Sequence, residues 1–170
     1  MPAPIDLAEA TIGTWRTANQ LTVYLIERLP DAVWPMKIPG APRRTVQMIG
    51  GHIHNARCMW TKMLGAKHGI AVPTSVDRHT VTRRQLIRAL GRSNDAMIGM
   101  LELGLERGGK IPGFPLDVVH FLSYFVAHEA HHRGQIILVA RQLGHRLPND
   151  VTAGLWQWSK RAKESEGDAE

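Results

Sequence analysis

Two histidines stand four residues apart in the string His128-Glu129-Ala130-His131-His132, inside a stretch of helical periodicity. Four residues is just over one helical turn, so both imidazoles leave the helix on one side and can meet a single ion. With Phe125 as zero at about 100° per residue, Val118, Phe121, Leu122, Ile136, Val139 and Leu143 fall within about 60° of it and mark the buried stripe. His132 falls at about −20° and His128 at about −60°, both on that stripe, while His131, at about −120°, lies off it.

An earlier segment supplies a third histidine. With Ile53 as zero, Val46, Ile49, Ala56, Trp60, Met63 and Leu64 lie within about 80° on one side. His52, at about −100°, sits on the shoulder of this stripe, and His54, at about +100°, lies on the far side with Cys58. His52 is therefore expected to face the core and His54 to face solvent or a partner. An unpaired buried polar group costs about 1–3 kcal/mol, so inward imidazoles need hydrogen-bond partners or a metal. One core histidine is more often a satisfied structural residue. Three of them on two helices supply three ligands and leave a position open for water. The expected ligands are His52, His128 and His132, holding a divalent ion, zinc or nickel first, with iron or copper also suited to imidazole. Gln135, one turn beyond His132, reads as an ordinary boundary residue or as support behind a ligand. Glu129 and Arg133, spaced i, i+4, read as a surface ion pair or as packing support.

Four long helical segments position these groups. The first runs from about Asp6 to Arg28 and stops at Leu29-Pro30-Asp31, where proline cannot continue it. Trp34 to Arg43, with Pro35, Pro39, Gly40 and Pro42, reads as a loop. The second helix starts near Arg44 or Thr45 and ends before Gly65, and residues 65–79 form a long connection. Thr80 or Thr82 opens the third, which runs to about Arg107. The fourth runs from about Leu116 to Leu143, closed by Gly144 with Pro148 beyond. A short helical piece around Gly154–Lys163 follows, and the tail is expected to fray from about 164. No alternating strand pattern and no 20–50-residue repeat competes. The expectation is one all-α domain over residues 1–170, a four-helix bundle with a short C-terminal helical segment.

Composition narrows the function. The chain has 170 residues, enough for one domain with a proper core. A single cysteine, Cys58, rules out an internal disulfide and a Cys-rich zinc site and suits a reducing compartment. The N-terminus lacks a basic region followed by an apolar run, and no apolar stretch approaches the roughly 18 residues of a spanning helix. The cytoplasm is the expected location, with no membrane partner. The net charge of +6 is spread over scattered pairs such as Arg43-Arg44, Arg83-Arg84 and Lys160-Arg161. With no aromatic-interleaved basic patch or zinc finger, no nucleic-acid partner is expected.

The string Met48-Ile49-Gly50-Gly51-His52-Ile53-His54-Asn55-Ala56-Arg57, with Trp60, resembles the first ligand-bearing helix of the DinB/YfiT-like metalloenzymes. The string His128-Glu129-Ala130-His131-His132-Arg133-Gly134-Gln135-Ile136 resembles their second, and Leu155-Trp156 a small cluster near their C-terminus. The resemblance implies a four-helix bundle that holds a divalent metal on three histidines, here His52, His128 and His132, and commonly pairs as a homodimer. It carries over no particular substrate, because no residue string singles out one subfamily; a small molecule is the expected partner. Members include thiol-dependent S-transferases, which use a low-molecular-weight thiol, and a maleylpyruvate isomerase; many have no known activity. The expected function is thus a metal-dependent enzyme, a thiol-dependent transferase first and a hydrolase second, against a non-catalytic metal- or ligand-binding stress protein. The same residues also satisfy H-E-x-x-H, the zinc-peptidase pattern, in which Glu129 would be the general base. Its extended form needs glycine at 135 and histidine at 138, where this chain has Gln135 and Leu138. A downstream carboxylate ligand could come only from Glu164, Glu166 or Glu170 in the tail, and the peptidase reading is set aside.

Overall fold

The computed structural model describes residues 4–167. Four long helices dominate: α1 (Leu7–Arg28), α2 (Val46–Trp60), α3 (Arg83–Glu106) and α4 (Val118–Gln142). Each begins where a short polar side chain takes up an otherwise orphaned backbone N–H. Asp6 accepts from Ala8 and Glu9, Thr45 from Met48, and Asp117 from His120. Thr82 and Gln85 cap α3 reciprocally, each side chain accepting from the other's backbone N–H. Gly144 at φ +81° ends α4 in the left-handed conformation that glycine adopts without strain.

Both α1 and α2 pack against α3 and against α4, which closes the bundle. Two short helices, α5 (Asn149–Gly154) and α6 (Trp158–Ser165), follow the fourth, and α6 lies along α1. The C-terminal piece is thus two helices, and the second passes position 164, where fraying is expected from sequence. Its buried Arg161 rests on the Tyr24 ring at 4.0 Å and pairs with Glu164 at 2.7 Å. Among the described residues no helix is long and apolar enough to cross a membrane.

Two further expectations need correction. The loop over residues 34–43 contains a small antiparallel hairpin, β1 (Lys37–Ile38) with β2 (Ala41–Thr45), turning at Gly40. A two-residue strand beside Pro39 and Pro42 is too short to show alternation. In addition, α2 continues through a π turn over Thr61–Gly65. The wider turn changes the helical phase, so Met63, assigned to the apolar stripe, is exposed.

The core comes in two apolar halves with a polar layer between them. One half gathers Leu25, Ile26, Val46, Ile49, Ile53, Leu86, Leu90, Ile136 and Val139. The other gathers Trp15, Leu64, Met97, Met100, Leu101, Phe121 and Phe125. Along every long helix the residues between these sets are polar and buried: Asn19 and Thr22 on α1, His54 and Arg57 on α2, Ser93 on α3, Glu129, His132 and Arg133 on α4.

Candidate metal centre

Three imidazoles converge at the level of the polar layer. His128 Nε2 lies 3.3 Å from His52 Nε2 and 3.2 Å from His132 Nε2. One candidate ligand atom from each of the three lies within 4.8 Å of the others. The structure therefore brings together the three histidines singled out from sequence. His132 is buried, and His52 and His128 are half-buried.

Local packing fixes these rings. Gly50 and Gly51, immediately before His52, let α2 approach its neighbours closely. A Cβ at Gly50 would meet Leu86 and Trp34 side chains at 2.9 Å, and one at Gly51 would meet Arg78 Cγ at 3.0 Å. On α4, the His128 ring stacks parallel to Tyr124, with centroids 6.0 Å apart. Gln135 Oε1 accepts from His132 Nδ1 at 2.9 Å, and Gln135 Nε2 donates to His131 Nε2 at 2.9 Å. With its amide oriented this way, Gln135 keeps the proton on Nδ1 and turns the Nε2 lone pair of His132 into the cluster. Gln135 thus stands where support behind a ligand would stand, one of the two roles left open for it by sequence. His131 is exposed; it meets this amide and sets its ring edge-on to His132, with centroids 5.1 Å apart.

Neutral imidazole is the ligand form, and the surroundings favour it. Burial lowers the His52 pKa to about 4, aided by His132 and His128 and by the cations Arg78 and Arg44. Burial also lowers His128, with His132 adding to the effect and Glu129 opposing it. His132 is lowered by burial, and its hydrogen bond to Gln135 opposes this. The donor set fits a metal on two counts. Three nitrogens that resist protonation are held together, and the 3.2–3.3 Å from His128 to each of the other two is close to the spacing of two nitrogens sharing a tetrahedral ion at about 2.0–2.1 Å. Imidazole donors suit zinc, nickel, iron or copper alike.

The family model that describes the DinB family matches residues 111–164. That stretch holds α4, with His128 and His132, then α5 and most of α6; His52 lies outside it. Over that stretch the chain resembles the DinB family. No curated protein and no solved structure matches it.

The sequence projection also misplaced His54. His54, expected on the surface, is fully buried: its Nδ1 is 3.1 Å from Ser93 Oγ, and its Nε2 is 3.0 Å from Thr74 O and 3.2 Å from Cys58 Sγ. The connection between α2 and α3 covers that side of α2, which a single-helix projection does not reveal. Glu129, read as half of a surface ion pair or as packing support, is also fully buried, as the second of these requires. Arg57 Nε donates to its Oε1 at 2.7 Å and Arg57 Nη2 to its Oε2 at 2.9 Å, while the Thr22 hydroxyl donates to Oε2 at 2.7 Å. Arg133 stands 3.9 Å away. With both oxygens engaged by the interior, Glu129 does not have the placement of a peptidase general base. Glu164 is taken up by Arg161, and Glu170 lies outside the described residues. Arg57, which organises the layer, was missed, although an arginine one helical turn from Ile53 and beside Ala56 on the apolar side was a usable signal.

Proposed function

We propose that this DinB-like chain is a divalent-metal-dependent enzyme whose ion is held by His52, His128 and His132. The observation that carries the reading is the convergence of three Nε2 atoms on two helices. A bound divalent metal supplies Lewis acidity and lowers the pKa of a thiol or water next to it. The chain's own residues keep the three imidazoles neutral, and Gln135 holds the Nδ1 proton of His132. Arg44 on β2 and Arg78 in the connection place positive charge close to His52. Such a field draws in an anionic group, a thiolate or a carboxylate.

Thiol-dependent transfer to an electrophile is the leading reaction class, with a low-molecular-weight thiol as co-substrate and the homodimer as the working form. The test is to incubate metal-loaded protein with small thiols and electrophiles, beside the His52→Ala variant. Thiol consumption that needs both the electrophile and His52 supports the reading. Hydrolysis of the electrophile without thiol consumption moves it to metal-dependent hydrolysis. Metal binding with neither activity moves it to a non-catalytic metal-binding protein. Sedimentation of the same sample tests the dimer.

A further inference from the structure

The opposite side of α4 from the histidines carries a cleft that the metal reading does not use. It has a volume of about 440 Å³, within the usual range for small-molecule sites, and lies between α1, α4 and the C-terminal helices. Val126, Ile137, Leu155, Trp156 and Trp158 make most of its wall apolar. Trp156 is 83% exposed, an unusual place for an indole.

Among the described residues one charged group lines this apolar wall: Arg133, whose side chain is only 10% exposed. Its Nη1 donates to Thr22 Oγ1 at 2.9 Å, the one hydrogen bond its guanidinium makes among the described residues. The carboxylate behind it, Glu129, is already bound in a bidentate pair by Arg57. Among the described residues both guanidinium groups pair with Glu129 alone, so two buried positive charges share one negative charge. A buried guanidinium has five N–H donors to satisfy, and a cation facing an apolar cleft with spare donors is matched by a carboxylate on an apolar body.

We infer that this cleft binds an amphipathic carboxylate, with the apolar body against Trp156 and Trp158 and the carboxylate on Arg133. A carboxylate there makes charge-assisted bonds that neither an alcohol nor an ammonium of the same chain length can replace. The cleft opens on the side of α4 away from the histidines, although Arg133 follows His132 in the chain, and the inference holds whether or not the histidine cluster is catalytic.

Octanoate is the probe, with octanol and octylammonium as its neutral and cationic counterparts, titrated into metal-loaded protein and followed by tryptophan fluorescence and calorimetry. Octanoate is expected to bind about tenfold or more tighter than octanol, and octylammonium not at all. Ala130→Phe, on the exposed cleft wall, is expected to abolish octanoate binding with metal content unchanged, which separates the cleft from coordination at the ion. Arg133→Gln is expected to erase the preference of octanoate over octanol. If that variant fails to fold, the Ala130→Phe result still decides. Equal binding of octanoate and octanol by the wild type overturns the proposal, as does octanoate binding that survives Ala130→Phe. A wild type that buries the cleft against a second copy and takes up no octanoate also overturns it.

Discussion

At the scale of single residues, the candidate centre depends on three imidazoles and on what keeps them neutral and aimed. Metal-loaded protein is expected to carry close to one divalent ion per chain. His52→Ala, His128→Ala or His132→Ala is expected to remove it, and elemental analysis after dialysis checks this. Gln135→Leu deletes the acceptor behind His132 without touching a ligand. It is expected to weaken metal affinity about 10–100-fold, measured by competition with a chelator. The pH response follows from the lowered pKa values of His52, His54, His128 and His132, all caused first by burial. In the unfolded chain these groups titrate near 6.5, and His52 in the fold only near about 4. Between those values the unfolded chain binds more protons than the folded one, so stability falls as pH drops. Metal-free protein is expected to keep its stability above about pH 6.5 and lose it progressively towards pH 4. Urea titrations at pH 7.5, 6 and 5 with identical midpoints would mean that these imidazoles are not buried neutral. The loss of metal affinity is likewise expected below the range of a free imidazole, because protons compete poorly for His52.

At the scale of elements, the polar layer is what ties α1, α2, α3 and α4 to one another at the height of the histidines. Arg57 reaches all of them: Asn19 on α1 at 2.8 Å, Leu90 O and Ser93 Oγ on α3 at 3.3 Å, and Glu129 on α4. A buried pair of this kind is weak evidence of net stabilisation, because desolvation offsets the Coulomb attraction. Removing one partner still leaves an uncompensated charge and costs about 3–5 kcal/mol. Glu129→Ala is expected to lower stability by about that much in chemical denaturation, with the three ligands still able to bind. A milder loss, with metal retained, is expected for Glu129→Gln, which keeps an acceptor. If Glu129→Ala melts like wild type, the layer is not organised around that carboxylate. The helices and their caps were legible in sequence because proline, glycine, threonine and aspartate act within a few residues of their own position. The histidine cluster was legible because helical periodicity placed His52, His128 and His132 on or beside inward faces. Arg57 and Glu129 were not read as partners, since 72 residues separate them and only the packed bundle puts them 2.7 Å apart.

At the scale of the whole molecule, the segment between α2 and α3 accounts for most of what the sequence left unread. It carries the glycines and proline of a loop, yet it is fastened along one side of α2. Asn55 holds it from both directions: its Nδ2 donates to Val76 O, and Val76 N–H donates to its Oδ1, each at 2.9 Å. Thr74 O meets His54, while Val81 O accepts from Trp34 Nε1 at 3.0 Å and from Gln47 Nε2 at 2.8 Å. This fastening buries His54 on the face that a lone amphipathic helix would leave in water. It also brings Arg78 onto Gly51, beside His52, so the strap sets part of the charge around the candidate centre. Asn55→Ala removes a two-way hydrogen bond without altering a ligand or the polar layer. It is expected to cost about 1–3 kcal/mol and to speed amide exchange in residues 70–81 far more than in α4. Burial and the neighbouring His132 and His128 outweigh Arg78 in lowering the His52 pKa, so lifting the strap is expected to raise it only slightly in metal-free protein, followed by NMR. Exchange that stays slow in the strap while the whole protein is destabilised would show that the segment is held by the core and not by Asn55.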